Sequence, residues 1–341
     1  VPGDTDDPPA RALASPSPDG PPPDGPSSLG PSSGGMSPGG AARGGASPGE
    51  PGRPAGERPL LVLGAGVMGC GITALALSRG LPVLLVDPDA DRLDAARADV
   101  RAHLRTAQLL GVAAGPLGEL TTATDTGGPR EVVAVVEAVT EDAETKAKAL
   151  TGVCATVPPG TPLVSNTSSI PMGELAPALP RPGDLVGAHF MNPPYLIPAV
   201  EVARGPLTSD AAFAGLTALL ARLGRAPVQV GDAPGFVTSR LLHPMINDAA
   251  RVVESGTADA AAVDALMRDC LGHREGPLRT ADLIGIDNLV DSLRVLRRRT
   301  GDERCEPCDL LLAKVDAGHL GRKSGRGFYD YGHPGREGTG R

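Results

Sequence analysis

His189 and Glu201 stand twelve residues apart in Gly187-Ala-His-Phe-Met-Asn-Pro-Pro-Tyr-Leu-Ile-Pro-Ala-Val-Glu-Val202. The stretch reads as an apolar strand end at 185–188, a polar loop carrying His189 and Asn192 and stiffened by Pro193 and Pro194, and a second strand at 197–203. Two neighbouring strands joined in this way can set the imidazole against the carboxylate. An imidazole whose far nitrogen donates to a carboxylate is fixed in tautomer and stabilised when protonated, which is what a general base requires. Taken alone, a histidine and a glutamate near strand ends are more often a satisfied surface pair. A second motif, about 120 residues upstream, weighs against that plain reading.

That motif is Gly64-Ala-Gly-Val-Met-Gly69. It follows a short apolar run at 59–63 and precedes helical spacing from Ile72 to Ser78, so it lies in a strand, glycine turn, helix context. Gly64 permits the tight turn, Gly66 lets backbone N–H groups approach a pyrophosphate, and Gly69 allows close packing of helix on strand. Gly64, Gly66, Met68 and Gly69 are the candidate cofactor-binding residues of this turn. The next strand, at 82–86, ends in Asp87, 23 residues after the first glycine. An acid there can accept ribose hydroxyls and repels a 2′-phosphate, so NAD is favoured over NADP.

These residues need a sheet to hold them. The spacing predicts a helix over 89–110, a third strand over 120–123, a strand buried on both faces over 132–139, a helix over 141–154 and a strand over 162–165. That last strand ends in Asn166-Thr-Ser-Ser169, polar groups at the edge where parallel sheets bind ligands, though serines there also serve as helix caps. After Glu201 come a helix over 209–223 and a final strand over 227–230, and Asp232-Ala-Pro-Gly-Phe236 reads as a boundary. Helical periods follow at 237–255, 260–271, 281–298 and 308–317. The expected fold is an α/β Rossmann-like domain (58–233) followed by an all-α domain (234–331) for substrate and dimerisation. Apolar positions on several helix faces suggest burial against a partner subunit as well as the first domain.

The first 57 residues hold 14 Pro, 13 Gly and 8 Ser, too little apolar surface to offset the entropy of ordering, so this segment is expected to be a disordered tail. It reads as a linker or as an upstream extension of the reading frame, Val1 fitting an alternative start codon translated literally. Residues 332–341 are expected to be a flexible C-terminus. The net charge of -8 comes without a basic block, and there is no Trp, which argues against nucleic acid as a partner. No apolar run approaches a membrane span. Five scattered cysteines point to a reducing cytoplasm, and the single pair in Cys305-Glu-Pro-Cys308 lacks the second pair a zinc site needs, so no metal site is expected.

With these residues in view a resemblance emerges. Gly64-Ala-Gly-Val-Met-Gly69, Val136-Glu-Ala-Val-Thr-Glu141, Ser165-Asn-Thr-Ser-Ser169, His189-Phe-Met-Asn192, Val200-Glu-Val202, Pro234-Gly-Phe236 and Gly325-Arg-Gly-Phe-Tyr329 follow one another in the order of the NAD-dependent 3-hydroxyacyl-CoA dehydrogenases. The resemblance covers residues 58–331. It implies that His189 is the catalytic base, that Glu201 orients it, and that Ser168 and Asn192 line the substrate pocket, Ser168 holding the reacting oxygen. By the same resemblance Asp87, Glu141 and Lys146 would contact the dinucleotide, and the protein would be a homodimer.

Two departures stand out. The family commonly has an asparagine for substrate binding after Pro-Gly-Phe, where this chain has Ser239. The helix after Asp87 has no lysine before Leu120, only Arg92, Arg97, Arg101 and Arg105, so the CoA 3′-phosphate lacks an evident lysine partner. Together with His189-Phe-Met-Asn-Pro-Pro-Tyr-Leu-Ile-Pro198 and Gly276-Pro-Leu-Arg-Thr-Ala-Asp-Leu-Ile-Gly285, these features resemble members associated with polyketide assembly. Such members act on a glyceryl group carried by an acyl carrier protein, on the way to hydroxy- or methoxymalonyl extender units. The expectation is therefore a hydroxyacyl-thioester dehydrogenase with a carrier-protein substrate ahead of a CoA substrate. The alternatives are 3-hydroxybutyryl-CoA dehydrogenase itself, as in fatty-acid metabolism, and a related sugar-acid dehydrogenase. A non-catalytic dinucleotide-binding protein is disfavoured because His189 and Glu201 are both present.

Overall fold

The computed structural model describes residues 57–113 and 115–332. The expectations of a disordered tail at 1–57 and a flexible end at 332–341 fall, but for Glu57 and Gly332, outside the described residues.

Among the described residues eight strands form one sheet: β1 (Leu60–Leu63), β2 (Val83–Val86), β3 (Leu120–Ala123), β4 (Ala134–Glu137), β5 (Leu163–Asn166), β6 (Leu185–Phe190), β7 (Ala199–Ala203) and β8 (Ala226–Val230). Their spatial order is β3-β2-β1-β4-β5-β6-β7-β8. The first six run parallel, and β7 turns back antiparallel to β6 with β8 parallel to β7. Between them run α1 (Val67–Ser78), α2 (Ala90–Leu109), α3 (Ala143–Cys154), α4 (Met172–Leu175) and α5 (Asp210–Arg222).

Strand alternation splits the core in two. Leu60 and Val62 of β1 face one layer with Ile72 and Leu75 of α1, Leu93 of α2 and Leu216 and Leu219 of α5. Leu61 and Leu63 face the other, with Leu150 and Val153 of α3 and Met172 and Leu175 of α4. A strand covered on both faces has no polar side to show, which is why β1 and β2 read as continuous apolar runs, while β4 ends in the buried Glu137 and β5 in the buried Ser165 and Asn166. The third core is helical. It is built by α6 (Thr238–Glu254), α7 (Ala260–Leu271), α8 (Pro277–Ile284), α9 (Ile286–Thr300) and α10 (Asp309–Asp316), around Ile246, Leu278, Leu289 and Leu293.

Three expectations are corrected here. The single helix expected over 281–298 is two, because Gly285 adopts φ +96 and breaks the chain between α8 and α9. Residues 277–284 form a separate helix whose Leu278 and Ala281 enter the same apolar centre as Ile286, Leu289 and Leu293 of α9. His189 does not lie in a loop but within β6, where the ladder to β7 continues through Phe190 opposite Val200. Pro198 delays the partner strand instead, so β7 begins at Ala199 rather than at residue 197.

Candidate active site

The antiparallel register of β6 and β7 places His189 directly opposite Glu201. Side chains opposite one another on an antiparallel pair share a face, so the two reach each other with no help from a loop. Nδ1 of His189 lies 2.8 Å from Oε2 of Glu201, and both side chains are largely covered, 12% and 8% exposed. The Phe236 ring sits 6.1 Å from the imidazole centroid, tilted by 41°.

The helical part closes the other side of the carboxylate. Gly235 at φ +76 and Phe236 at φ +44 turn the chain sharply into α6. Its opening amides then point at Glu201, Val237 N–H and Thr238 N–H donating to Oε1 at 3.0 and 2.9 Å. The Thr238 hydroxyl donates to Oε2 at 2.6 Å and stands 3.5 Å from Nδ1 of His189. Glu201 thus caps a helix that carries no side-chain cap of its own. Burial raises the Glu201 pKa, but the bonds from His189, from the Thr238 hydroxyl and from the two amides outweigh it and bring it to about 2. An ionised Glu201 accepts the proton of His189 Nδ1, so that tautomer leaves Nε2 as the free acceptor. None of the helix contacts was read from the sequence. Thr238 lies 37 residues beyond Glu201, and only the Pro-Gly-Phe turn before a helix start hinted at them.

The glycine turn lies between the C-terminal end of β1 and α1. A Cβ at Gly69 would fall 1.8 Å from the Gly64 carbonyl oxygen, so no side chain fits where the helix is drawn onto the strand. A Cβ at Gly66 would meet only the Arg92 guanidinium, at 3.4 Å, which leaves that backbone open to a ligand. Asp87, 8% exposed at the end of β2, accepts Ala65 N–H through Oδ2 at 2.8 Å and Asp89 N–H through Oδ1 at 3.0 Å. A carboxylate oxygen has room for a second donor, so both remain available to ribose hydroxyls. The turn, the open Gly66 backbone and the tethered acid fit a dinucleotide. Met68 is partly buried against the first core layer. On the other side of α1, a Cβ at Gly71 would meet Pro194 at 2.7 Å, so this glycine lets the loop after β6 pack on the helix that follows the glycine turn.

A third cluster joins Glu141, Lys146 and the segment after β5. Oε1 of Glu141 accepts bonds from Ser168 N–H at 2.9 Å, Ser169 N–H and Ser169 Oγ at 3.0 Å, and Ser168 Oγ at 3.3 Å. Burial raises the Glu141 pKa, yet the Lys146 charge and these bonds bring it below the ordinary value. Lys146 is fully buried and spends its ammonium on Glu137 at 2.9 Å, on Glu141 at 3.2 Å and on the Asn166 carbonyl at 2.9 Å. It therefore reaches the site through Glu141 and through the backbone of β5, with no ammonium surface of its own facing solvent. Asn166, in turn, accepts Phe190 N–H through Oδ1 at 3.1 Å and so ties β5 to the strand that carries His189.

The residues expected to form the site are therefore not all equally close. His189 and Glu201 are joined directly, and Asp87 and the glycines are gathered at the β1–α1 turn. The Ser168 hydroxyl bonds to Glu141, with no hydrogen bond to His189. Asn192, before a cis Asn192–Pro193 peptide, is exposed and makes no hydrogen bond among the described residues. Ser239 is buried on α6. Among the described residues no group of three or more His, Cys, Asp or Glu side chains is arranged to hold a metal ion, and no helix is long and apolar enough to cross a membrane.

Residues 60–233 match the family model for the NAD binding domain of 3-hydroxyacyl-CoA dehydrogenase, and residues 235–331 match that of its C-terminal domain. A probable 3-hydroxybutyryl-CoA dehydrogenase of Deinococcus radiodurans is 39% identical over 274 residues, 79% of this chain and 99% of that protein. The crystal structure of FadB2 from M. tuberculosis superposes with a TM-score of 0.76 at 35% identity, over 81% of this chain and 99% of that one. The crystal structure of (S)-3-hydroxybutyryl-CoA dehydrogenase PaaH1 from Ralstonia eutropha gives 0.71 at 34% identity, over 81% and 99%.

Proposed function

This chain belongs to the 3-hydroxyacyl-CoA dehydrogenase family, and from that premise we propose that it oxidises the 3-hydroxyl of a short 3-hydroxyacyl-CoA ester to the 3-oxo compound, with His189 as the base. It is an NAD-dependent oxidoreductase acting on a CH–OH group. The observation that carries the proposal is the bond of 2.8 Å between His189 and an ionised, fully hydrogen-bonded Glu201.

His189 takes the hydroxyl proton at Nε2, and the imidazolium that results faces the Glu201 carboxylate across the Nδ1 bond. Proton transfer of this kind contributes roughly 10² to 10⁴-fold to a rate. NAD⁺, when bound, supplies the acceptor for the hydride of C3. Backbone N–H groups around Gly66 and the α1 N-terminus would hold its pyrophosphate, and Asp87 its ribose. In the reverse direction His189 is the acid. Ser168 and Asn192 lie after β5 and β6, strand ends from which a parallel sheet offers polar groups to ligands, and we assign them to the substrate together with Ser239 of α6.

Relatives named 3-hydroxybutyryl-CoA dehydrogenase in Deinococcus radiodurans and Bradyrhizobium diazoefficiens support a CoA ester. They reverse the order expected from the missing lysines, so the carrier-protein glyceryl ester becomes the second reading. By the name of the Ralstonia eutropha enzyme, the S configuration at C3 is the one to expect. Exposed leucines on the helical part, Leu241, Leu266, Leu271 and Leu283, support association with a second copy. Light scattering should return twice the chain mass, and a monomer at micromolar concentration would remove the homodimer. The purified protein with NAD⁺ should turn over (S)-3-hydroxybutyryl-CoA, followed as NADH absorbance, faster than a glyceryl-carrier protein offered beside it. Exclusive turnover of the carrier-bound ester would reverse the order of the two substrates.

A further inference from the structure

Ser239, His243 and Asn247 stand at i, i+4 and i+8 on one face of α6, all buried at 4%, 7% and 0% exposure. The third is fully used by the protein. Its Oδ1 accepts Cys308 N–H at 3.0 Å, and its Nδ2 donates to the carbonyls of Arg304 and Glu306 at 2.9 and 2.6 Å. His243 is not. Its Nδ1 is buried with no hydrogen-bond partner among the described residues, and Ser239 lies one turn before it on the same face. A helix stripe that is satisfied at Asn247 and leaves a buried His243 nitrogen unpaired points to a ligand on the side of Ser239. That side is where α6 meets the dyad through Val237 and Thr238.

His243 is also electrically close to the reacting imidazole. Burial lowers its pKa, and the charge on His189 lowers it further, to about 4. The ring is therefore neutral at ordinary pH, with one nitrogen donating and the other accepting. Such a ring, paired with a hydroxyl that can do either, is complementary to an alcohol or carbonyl oxygen and has no charge to offer an anion. A purely apolar acyl chain would leave the buried His243 nitrogen without a partner, and a site built to bond an oxygen discriminates strongly against the analogue lacking it.

We propose that His243 and Ser239 form a polar subsite beside His189 that recognises a second oxygen substituent on the acyl group, at C2 or C4 next to the 3-hydroxyl. This rests on the dehydrogenase reading above and narrows its substrate class from plain 3-hydroxyacyl esters to oxygenated ones. His243 is a specificity-determining residue, with no part in the proton transfer itself.

The test compares kcat/KM of the full-length protein with NAD⁺ for 3-hydroxybutyryl-CoA, 2,3-dihydroxybutyryl-CoA and 3,4-dihydroxybutyryl-CoA. The wild type should prefer one dihydroxy ester by tenfold or more, and which one identifies the carbon. His243→Leu should lower that preference at least tenfold, and His243→Gln, which keeps a donor and an acceptor, should restore most of it. An unsubstituted chain preferred by the wild type would overturn the subsite and leave the dehydrogenase intact. An equal ratio in wild type and His243→Leu would remove His243 from recognition. Turnover of none of the three esters would overturn the parent reading together with this one.

Discussion

Glu201 receives four donors, one from His189, two from the first amides of α6 and one from the Thr238 hydroxyl. Its two oxygens are filled by them, so it serves as a fixed anion that orients the imidazole rather than as a proton acceptor. Thr238→Val removes one charge-assisted bond, worth roughly 1.5–3 kcal/mol, and should lower kcat about tenfold or more with NADH affinity kept. The pH dependence has a definite sign. A carboxylate held at about 2, below its ordinary 4.5, adds stability above the ordinary value and loses it as the pH falls from about 4.5 toward 2. Thr238→Val raises the folded pKa, so acid unfolding should begin at higher pH than in the wild type. An unchanged acid transition with unchanged kcat would show that Thr238 has no hold on the carboxylate. The pair His189 and Glu201 was legible because both lie on strands with a loop too short to misalign them. Thr238 was not, because its partner is reached only when a distant helix docks.

The glycine turn was legible for a different reason: its function is backbone geometry, and glycine at Gly64, Gly66 and Gly69 is what that geometry demands. Gly69→Ala would drive a methyl to 1.8 Å from the Gly64 carbonyl oxygen, a contact no rotamer can relieve. The expected outcome is NADH affinity down tenfold or more, and a melting temperature several degrees lower, read by titration and thermal unfolding. Wild-type affinity in Gly69→Ala would mean that α1 does not need its close approach to β1 in order to bind the cofactor. Other elements resisted reading. Apolar spacing runs on through Gly285, so α8 and α9 looked like one helix until φ +96 separated them. Lys146 was expected by resemblance to contact the dinucleotide, and only the burial of β4 and β5 around it shows that Glu137, Glu141 and the Asn166 carbonyl use up its ammonium.

In the molecule as a whole, the sheet and the helical part hold one carboxylate between them. His189 comes from β6, Glu201 from β7, and the amides that fix Glu201 from α6, while Asp232, at the junction, accepts the amides of Met172 and Gly173 at 2.7 and 2.8 Å. Arg299 of α9 adds an ion pair to Glu174 of α4. The α/β class and the helical character of residues 238–316 follow from periodicity alone. How the helices meet the dyad depends on packing between segments far apart in sequence, which no local pattern encodes. The most direct measurement is turnover of (S)-3-hydroxybutyryl-CoA by His189→Ala, with NADH affinity measured on the same preparation. Turnover should fall by about 10² to 10⁴-fold, with NADH bound as tightly as by the wild type. Turnover within a few-fold of wild type, or an equal loss of NADH affinity, would contradict His189 as the base.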